Sequence, residues 1–154
     1  MTITRLVGTV IVIILAAYVL LRWLVGVYSP RPDNLGVRDG QLAPCPDSPN
    51  CVSTFSSDAE HAIAPLPYSA STAQMHDNLV AVLTALPRAK IVTDQPTYIH
   101  AELRTRMMGF VDDAEFYFDE ANGLLHMRSG SRLGYSDLGV NRRNMEQIRQ
   151  ALAE

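Results

Sequence analysis

The stretch that decides the fold is FVDDAEFYF, residues 110–118. In a β-strand, successive side chains point to opposite faces of the sheet. One face of this strand therefore carries Phe110, Asp112, Ala114, Phe116 and Phe118, and the other carries Val111, Asp113, Glu115 and Tyr117. The alternation predicts a strand with one largely apolar face and one acidic face.

The segments on either side have the same alternation. TYIHAELRT, residues 97–105, comes before this strand, and GLLHMRS, residues 123–129, follows a hairpin turn at Asn122-Gly123. Residues 90–94 begin or precede the first of these strands, and HAIAPL, residues 61–66, is predicted as a short edge strand. The polar face of the sheet then holds His100, Glu102, Arg104, Asp113, Glu115, His126 and Arg128.

Two helices are predicted to cover the apolar face. The first begins at a Ser71–Gln74 capping box and ends at Pro87, with its apolar stripe at Met75, Leu79, Val82 and Leu86. The second runs over about residues 141–152, with Met145, Ile148 and Leu152 on its buried stripe. The predicted fold class is α+β, a small antiparallel sheet with two helices packed on one face.

An apolar segment, residues 6–28, precedes this domain. Its only charge is Arg22, and as a helix it spans roughly 34 Å, enough to cross a bilayer core of about 30 Å. No convincing small-x-small site follows it, as a cleaved signal peptide requires, and it has no polar face, as a buried core helix requires. A transmembrane anchor is therefore predicted, followed by a linker over residues 29–41 and a domain over residues 42–154.

The charge balance excludes some partners. The segment after residue 28 holds all 16 acidic residues and all but two of the 13 basic residues, so its net charge is −5. This value argues against nucleic acid and against a generally basic surface on anionic lipid.

The two cysteines, Cys45 and Cys51, flank a turn-forming spacer in CPDSPNC. Two thiols with no nearby histidine make a poor zinc site, and the spacing is not C-x-x-C. A small disulfide is the leading interpretation, and it implies an oxidising compartment. The arginines after the apolar segment instead favour a cytoplasmic domain. We follow the cysteines and expect a single-pass membrane protein whose domain lies on the oxidising side, opposite the cytoplasm.

Asp112 is unusual because it lies on the apolar face, where a carboxylate is costly unless it is paired. We expect its partner to be an arginine from RSGSRLGYSDLGVNRRN, residues 128–144. The polar face is interpreted either as a ladder of surface ion pairs or as an acid–base site. Asp112, Asp113, Glu115 and Asp137 are accordingly candidates for structural ion pairs or for catalysis.

Residues 128–144 admit two interpretations of their own. Backbone N–H groups at the start of the last helix, together with nearby arginines, can bind a phosphate or a carboxylate. The candidate anion site comprises Arg128, Ser131, Arg132, Ser136, Asn141 and Arg142. Alternatively, the arginines pair with the acidic strand and pin this stretch to the sheet. Neither a P-loop nor a G-x-S-x-G elbow is present, and no metal motif or cofactor site is predicted.

Three motifs in this order resemble the domain-of-unknown-function family DUF1499. They are PNCVS (residues 49–53), FVDDAEF (residues 110–116) and RSGSRLGYSDLGVNR (residues 128–142). The family is found in bacteria and in plant plastids, so the resemblance implies a membrane-associated domain of the envelope type and supplies no catalytic residue. Together with the cysteines it leads us to expect a single-pass protein of the bacterial inner membrane with a periplasmic domain.

We therefore expect a binding or assembly module of the cell envelope that recognises an anionic group, such as a lipid headgroup, a phosphate or a protein carboxylate. One alternative is an envelope hydrolase that uses Asp112 or Asp113 as a base and Arg132 to stabilise an oxyanion. The other is a structural subunit of a membrane complex.

Overall fold

A computed structural model describes residues 3–153 of the chain. Helix α1, Ile3–Val27, has a mean hydropathy of 2.6 and leaves nearly all its apolar side chains exposed. Its length and composition are those of a membrane span, a property that signal sequences share.

The domain after α1 is built on one antiparallel sheet. Its strands are β3 (Cys51–Ser53), β4 (Leu66–Pro67), β5 (Ala89–Gln95), β6 (Tyr98–Arg104), β7 (Val111–Asp119) and β8 (Leu124–Ser131). The order is β3-β8-β7-β6-β5, and β4 also pairs with β8. The three predicted main strands are confirmed at its centre. A separate hairpin joins β1 (Val37–Arg38) to β2 (Gln41–Leu42).

Two helices, α2 (Thr72–Ala85) and α3 (Val140–Ala153), pack on the apolar face. The Ser71 side chain accepts a hydrogen bond from the Gln74 backbone N–H and so caps α2 as predicted. Leu79 and Leu83 of α2 and Met145 of α3 are fully buried with Phe116 of β7. The α+β fold class, with an N-terminal apolar helix and two further helices, is thus confirmed.

The polar face of the sheet is also covered, in contrast to the predicted exposed ladder. Ser29 and Leu42 are buried, and the backbone N–H of Gly36 donates to Glu115 Oε1 at 2.7 Å. The stretch predicted as a linker, residues 29–41, therefore packs on the sheet as part of the domain. Only Ser29 of this stretch is buried, and the stretch is rich in Pro, Gly and Asp with no apolar periodicity, so the hydrophobic period in the sequence gives no sign of its contact with the sheet.

Two short strands also differ from the prediction. Residues 51–53, for which no strand was predicted, form β3 on the edge of β8, directly after the cysteine turn. Within the predicted strand 61–66, Ala62 makes only an isolated bridge to Ser53, and pairing with β8 begins at Leu66. Pro65 lacks the N–H that a longer ladder requires, which accounts for the late start.

Candidate functional site

A buried ionic cluster lies between the sheet and the covering segment, residues 29–50. Strand register brings its members together, since Glu102 on β6 pairs with Asp113 on β7, and Glu115 on β7 pairs with Arg128 on β8. We define the ionic cluster as Arg31, Glu102, Arg104, Asp113, Glu115, Arg128 and Arg132, with His100 at its edge.

Arg132 is the centre of the cluster. Its Nε and Nη2 donate to the two oxygens of Asp113 at 2.8 and 2.7 Å, and Nη2 also donates to Glu102 Oε1 at 2.7 Å. Its Nη1 donates to the Ser29 carbonyl at 3.3 Å. Every nitrogen of this guanidinium is therefore bonded inside the protein, and none is free to stabilise an oxyanion.

The carboxylates of the cluster are held in their charged form. Burial raises the pKa of Asp113, but hydrogen bonds from Arg132 and His100 outweigh burial and hold the pKa below its usual value. The pKa of Glu102 is lowered in the same way, because Arg132, Arg104 and Arg31 donate to it against the effect of burial. Both carboxylates accordingly stabilise the fold while they are ionised.

Glu115 and Arg128 form the second buried pair. Arg128 Nη1 donates to Glu115 Oε2 at 2.9 Å, while Glu115 Oε1 accepts bonds from the Tyr98 hydroxyl and the Gly36 N–H. Burial, together with the Glu115 charge, raises the pKa of Tyr98 far above its usual value. Glu115 is fully buried and satisfied, so its position is that of a structural anchor.

A cavity of ≈ 390 Å³ opens beside this pair under the Cys45–Cys51 loop. The predicted disulfide is present there. The lining residues are Pro32, Asn34, Pro44, Cys45, Pro46, Asn50, Cys51, Asp113, Arg128, Gly130, Ser131 and Arg132. Arg128 is 6% exposed, and its Nε has no hydrogen-bond partner among residues 3–153. It is thus a buried cation with an unused donor beside an open volume.

Asp112 is not paired with an arginine, so that prediction was wrong. Ser131 Oγ donates to its Oδ1 at 2.5 Å, and Asn141 Nδ2 donates to the same Ser131 oxygen at 3.0 Å. The reason is register, because Asp112 lies opposite Ser131 while Asp113, on the other face, receives Arg132. Burial raises the pKa of Asp112 to about 6, since the Ser131 hydrogen bond only partly offsets it.

Asp112 borders two cavities on the helical side of the sheet. One, of ≈ 360 Å³, lies against the end of α2, and the other, of ≈ 210 Å³, lies against the loop before α3. A buried carboxyl with a raised pKa beside open volume has features of an acid–base site. Among the described residues, however, no arginine or lysine forms an ion pair with it.

The remaining predicted site residues serve the last helix. Asp137 accepts from the backbone N–H groups of Asn141 and Gly139, and Ser136 Oγ accepts from that of Leu138. Asp137 forms no ion pair within residues 3–153; it caps α3 and occupies the N–H groups that an anion would use.

Arg142 points to a different part of the domain. It donates to the carbonyls of Ala62 and Glu60 at 2.7 and 2.8 Å and so ties α3 to the segment before β4. Of the six residues of the predicted anion site, Arg128, Ser131 and Arg132 line one cavity. Asn141 contacts Ser131, whereas Ser136 and Arg142 lie outside that cavity's lining.

Sequence reasoning missed the residues that close the site from above. Ser29, Gly36 and Leu42 belong to the covering segment. The available signal was the few apolar residues of this polar stretch, Leu35, Val37 and Leu42, of which Leu42 is buried. Within residues 3–153, no group of three or more His, Cys, Asp or Glu side chains is placed to hold a metal ion.

These features define an α+β domain that follows one long apolar helix and encloses a buried arginine–carboxylate cluster. The chain belongs to the family described as "Protein of unknown function (DUF1499)", whose model matches residues 41–152. No curated protein and no solved structure matches it significantly.

Proposed function

We propose that the protein is a membrane-anchored binding module that takes an anionic group into the cavity under the disulfide loop. Helix α1 is retained as the anchor in this proposal, and the domain faces the periplasmic side of a bacterial inner membrane. The apolar length of α1 supports the anchor, and the Cys45–Cys51 disulfide supports an oxidising compartment.

The observation that carries the proposal is the unpaired Nε donor of the buried Arg128. A buried guanidinium normally uses its donors, since an unpaired buried donor is costly. Arg128 instead gives Nη1 to Glu115 and leaves Nε without a partner, although Arg132 beside it is saturated. Nε is shielded from solvent, but the Arg128 side chain lines the cavity, so a small rotation of the guanidinium would let an anion there supply the missing acceptor.

The charge of the ionic cluster also favours an anion. Of its members that line the cavity, Arg128 and Arg132 outnumber Asp113, which leaves the lining with one excess positive charge. This excess is local, because the sequence after residue 28 is acidic as a whole. A small phosphate, sulfate or carboxylate group suits both the charge and a cavity of ≈ 390 Å³.

The hydrolase alternative has less support. Its oxyanion donor, Arg132, is fully bonded to Asp113, Glu102 and Ser29. Asp113 is held by the same arginine and by His100, so it is not available as a base. The structural-subunit alternative is an outcome of the test below.

The test uses the full chain in a mild detergent and inorganic phosphate as the probe, with binding followed by calorimetry. Arg128→Lys keeps the positive charge beside Glu115 but removes Nε and the planar guanidinium. We expect saturable phosphate binding to the wild type and at least a tenfold weaker affinity in Arg128→Lys. Arg142→Lys, a matched change outside the cavity, should bind as the wild type does.

Equal binding by the wild type and Arg128→Lys would overturn the cavity assignment. Absence of phosphate, sulfate and acetate binding, with co-purification of one fixed protein partner, would favour the structural-subunit alternative. The intact mass of the membrane-extracted protein tests separately whether α1 is retained.

A further inference from the structure

We propose that the turn of residues 105–110 rests on the membrane that α1 enters, and that Arg88, Arg104 and Arg106 bind an anionic phospholipid headgroup there. This second site is distinct from the cavity under the disulfide loop. It shares with the proposed function only the retention of α1 as an anchor.

The first support is the contact between α1 and the turn. The Tyr18 hydroxyl donates to the Met107 carbonyl at 2.7 Å, and Arg22 Nη1 donates to the carbonyls of Met107 and Arg106 at 3.0 and 3.3 Å. Tyr18 lies inside the uncharged run that ends at Leu21. Arg22 is the first charged residue after this run, and Ile3–Leu21 alone spans roughly 28 Å, close to a hydrocarbon core of about 30 Å. In this proposal the core therefore ends near Leu21, earlier than residue 28, and the turn that Tyr18 and Arg22 contact lies at the headgroup level.

The second support is the exposure of the turn. Met107 is 72% exposed although it is apolar and lies beside the end of the span. About nine residues, or roughly 14 Å, of helix separate Tyr18 from the end of α1, so the domain lies close alongside the last turns of the helix. A flexible apolar side chain at this level suits the interface between headgroups and acyl chains.

The third support is the cavity behind the turn, of ≈ 360 Å³. Its lining combines cations and neutral hydrogen-bonding groups, namely Arg88, Arg104, Thr105, Arg106, Asn144 and Gln147, with Asp112 as the one acidic member. Arg88 and Arg106 are exposed, and no hydrogen bond or ion pair involves the Arg106 side chain among the described residues. Three arginines against one carboxylate give this cavity a local positive charge.

Existing partners limit what each arginine contributes. Arg104 Nη2 forms an ion pair with Glu102 Oε2 at 2.9 Å, and Arg88 Nε donates to the Arg104 carbonyl at 3.2 Å. Arg106 is the most available of the three. Asp112 is already bonded to Ser131, on the side of the sheet that α3 covers. A phosphodiester would therefore meet Arg106 and Arg88 first, with Asn144 and Gln147 as neutral donors.

The net charge of the domain does not favour contact between the turn of residues 105–110 and an anionic bilayer. The residues after the span have a net charge of −5, which an anionic bilayer repels. Only a local basic patch can turn one end of such a domain toward the bilayer. One arginine near an anionic surface strengthens binding by about fivefold, so removal of two should weaken it by about 25-fold.

The first experiment tests contact with the bilayer. No free cysteine is present among the described residues, so Met107→Cys gives a single site for an environment-sensitive fluorophore. The full-length protein is placed in phosphatidylcholine nanodiscs that contain one-quarter phosphatidylglycerol and a headgroup-attached nitroxide quencher. We expect strong quenching at residue 107. The same label in Glu120→Cys, at the opposite end of β7, should be little quenched.

The second experiment tests the arginines. Binding of short-chain phosphatidylglycerol to the full chain in a neutral detergent is measured for the wild type and for Arg88→Gly/Arg106→Ala. Glycine is used at residue 88 because its φ is +64°, a conformation that alanine adopts poorly. Arg38→Ala/Arg149→Ala removes the exposed Arg38 and the partly exposed Arg149, both outside this cavity, and is the matched control.

We expect the affinity to fall by about 25-fold in the first double variant and to be unchanged in the control. Short-chain phosphatidylcholine should bind weakly to all three proteins. Inorganic phosphate should not compete at millimolar concentration, because the bilayer and not free phosphate is the proposed source of the headgroup.

Equal phosphatidylglycerol affinity in both double variants, or equal quenching at residues 107 and 120, would overturn this proposal. Competition by inorganic phosphate would show that the site binds a soluble anion and not a lipid headgroup, and it would also overturn the proposal. None of these results alters the Arg128→Lys test, so the two proposals fail independently.

Discussion

Arg132, the residue directly after β8, is joined to Asp113 on β7 by two parallel hydrogen bonds, from Nε to Oδ2 at 2.8 Å and from Nη2 to Oδ1 at 2.7 Å. Both side chains are buried, and the same guanidinium reaches Glu102 on β6 and the Ser29 carbonyl in the covering segment. A single side chain thus connects three neighbouring strands to the segment that lies over them.

Replacement of Arg132 by alanine should lower the free energy of unfolding by about 3–5 kcal/mol, because two buried carboxylates lose their main cation. Urea unfolding of the full chain in a mild detergent, followed by near-UV circular dichroism, measures the change. The control is Arg149→Ala, which removes the partly exposed pair with Glu146 and should cost less than about 1 kcal/mol. A comparably small loss in Arg132→Ala would contradict the role assigned to the cluster.

The ionic cluster should also make the domain sensitive to acid. The folded-state pKa values of Asp113 and Glu102 are lowered, so their stabilisation is present above the unfolded value of about 4 and is lost as the pH falls through the folded values. We expect the unfolding free energy to fall steeply below about pH 4. Arg132→Ala should have a much shallower acid limb, and an unchanged limb would show that other groups govern acid unfolding.

Ionisation of Asp112 should lower the stability of the domain, whereas ionisation of Asp113 and Glu102 raises it. Its folded-state pKa is raised to about 6, so between about pH 4 and 6 the folded state binds more protons than the unfolded state and stability falls as the pH rises. Asp112→Asn keeps an acceptor for Ser131 and removes the buried charge. We expect it to be more stable than the wild type by about 3 kcal/mol at pH 7.

The same pH series checks this prediction. The loss of stability between about pH 4 and 6 should disappear in Asp112→Asn, and the two proteins should converge below about pH 4. A variant less stable than the wild type at pH 7 would mean that the ionised carboxylate has a favourable partner and that its burial is not the dominant effect.

The central strands and both helices were predictable because each has a clear period. Alternation placed Asp113, Glu115 and Arg128 on one face, and the structure brings all three into the ionic cluster. What alternation cannot reveal is whether a polar face is covered. The charged side chains of this face satisfy one another, so it can be buried without apolar residues.

The partner of Asp112 illustrates a second limit. Charge alone favoured an arginine, but the pairing register sets Asp112 opposite Ser131 and sends Arg132 to Asp113 on the other face. Register depends on the whole sheet, and a shift of one residue exchanges the faces. The sequence pattern therefore identified the acidic strand but not which carboxylate receives the arginine.

Leu42 should be essential to the covering segment, because it is 3% exposed and belongs to the hairpin that contacts the polar face. Leu42→Ala should lower the free energy of unfolding by about 2–3 kcal/mol, as for a buried leucine. Leu138→Ala, at a residue that is 84% exposed, should change it by less than about 0.5 kcal/mol. Equal behaviour of the two variants would mean that residues 29–42 do not stabilise the domain in solution.

The Cys45–Cys51 disulfide should stabilise the domain and also maintain its cavity. It closes a short loop with a sequence separation of 6, for which chain entropy gives about 2 kcal/mol. Cys45→Ala/Cys51→Ala should therefore unfold at lower urea concentration than the wild type, and dithiothreitol should destabilise the wild type but not the variant. Since both cysteines line the cavity beside Arg128, the variant should also bind phosphate more weakly at pH and temperature values where it is fully folded. Unchanged phosphate affinity in the folded variant would show that the loop constrains the chain without shaping the site.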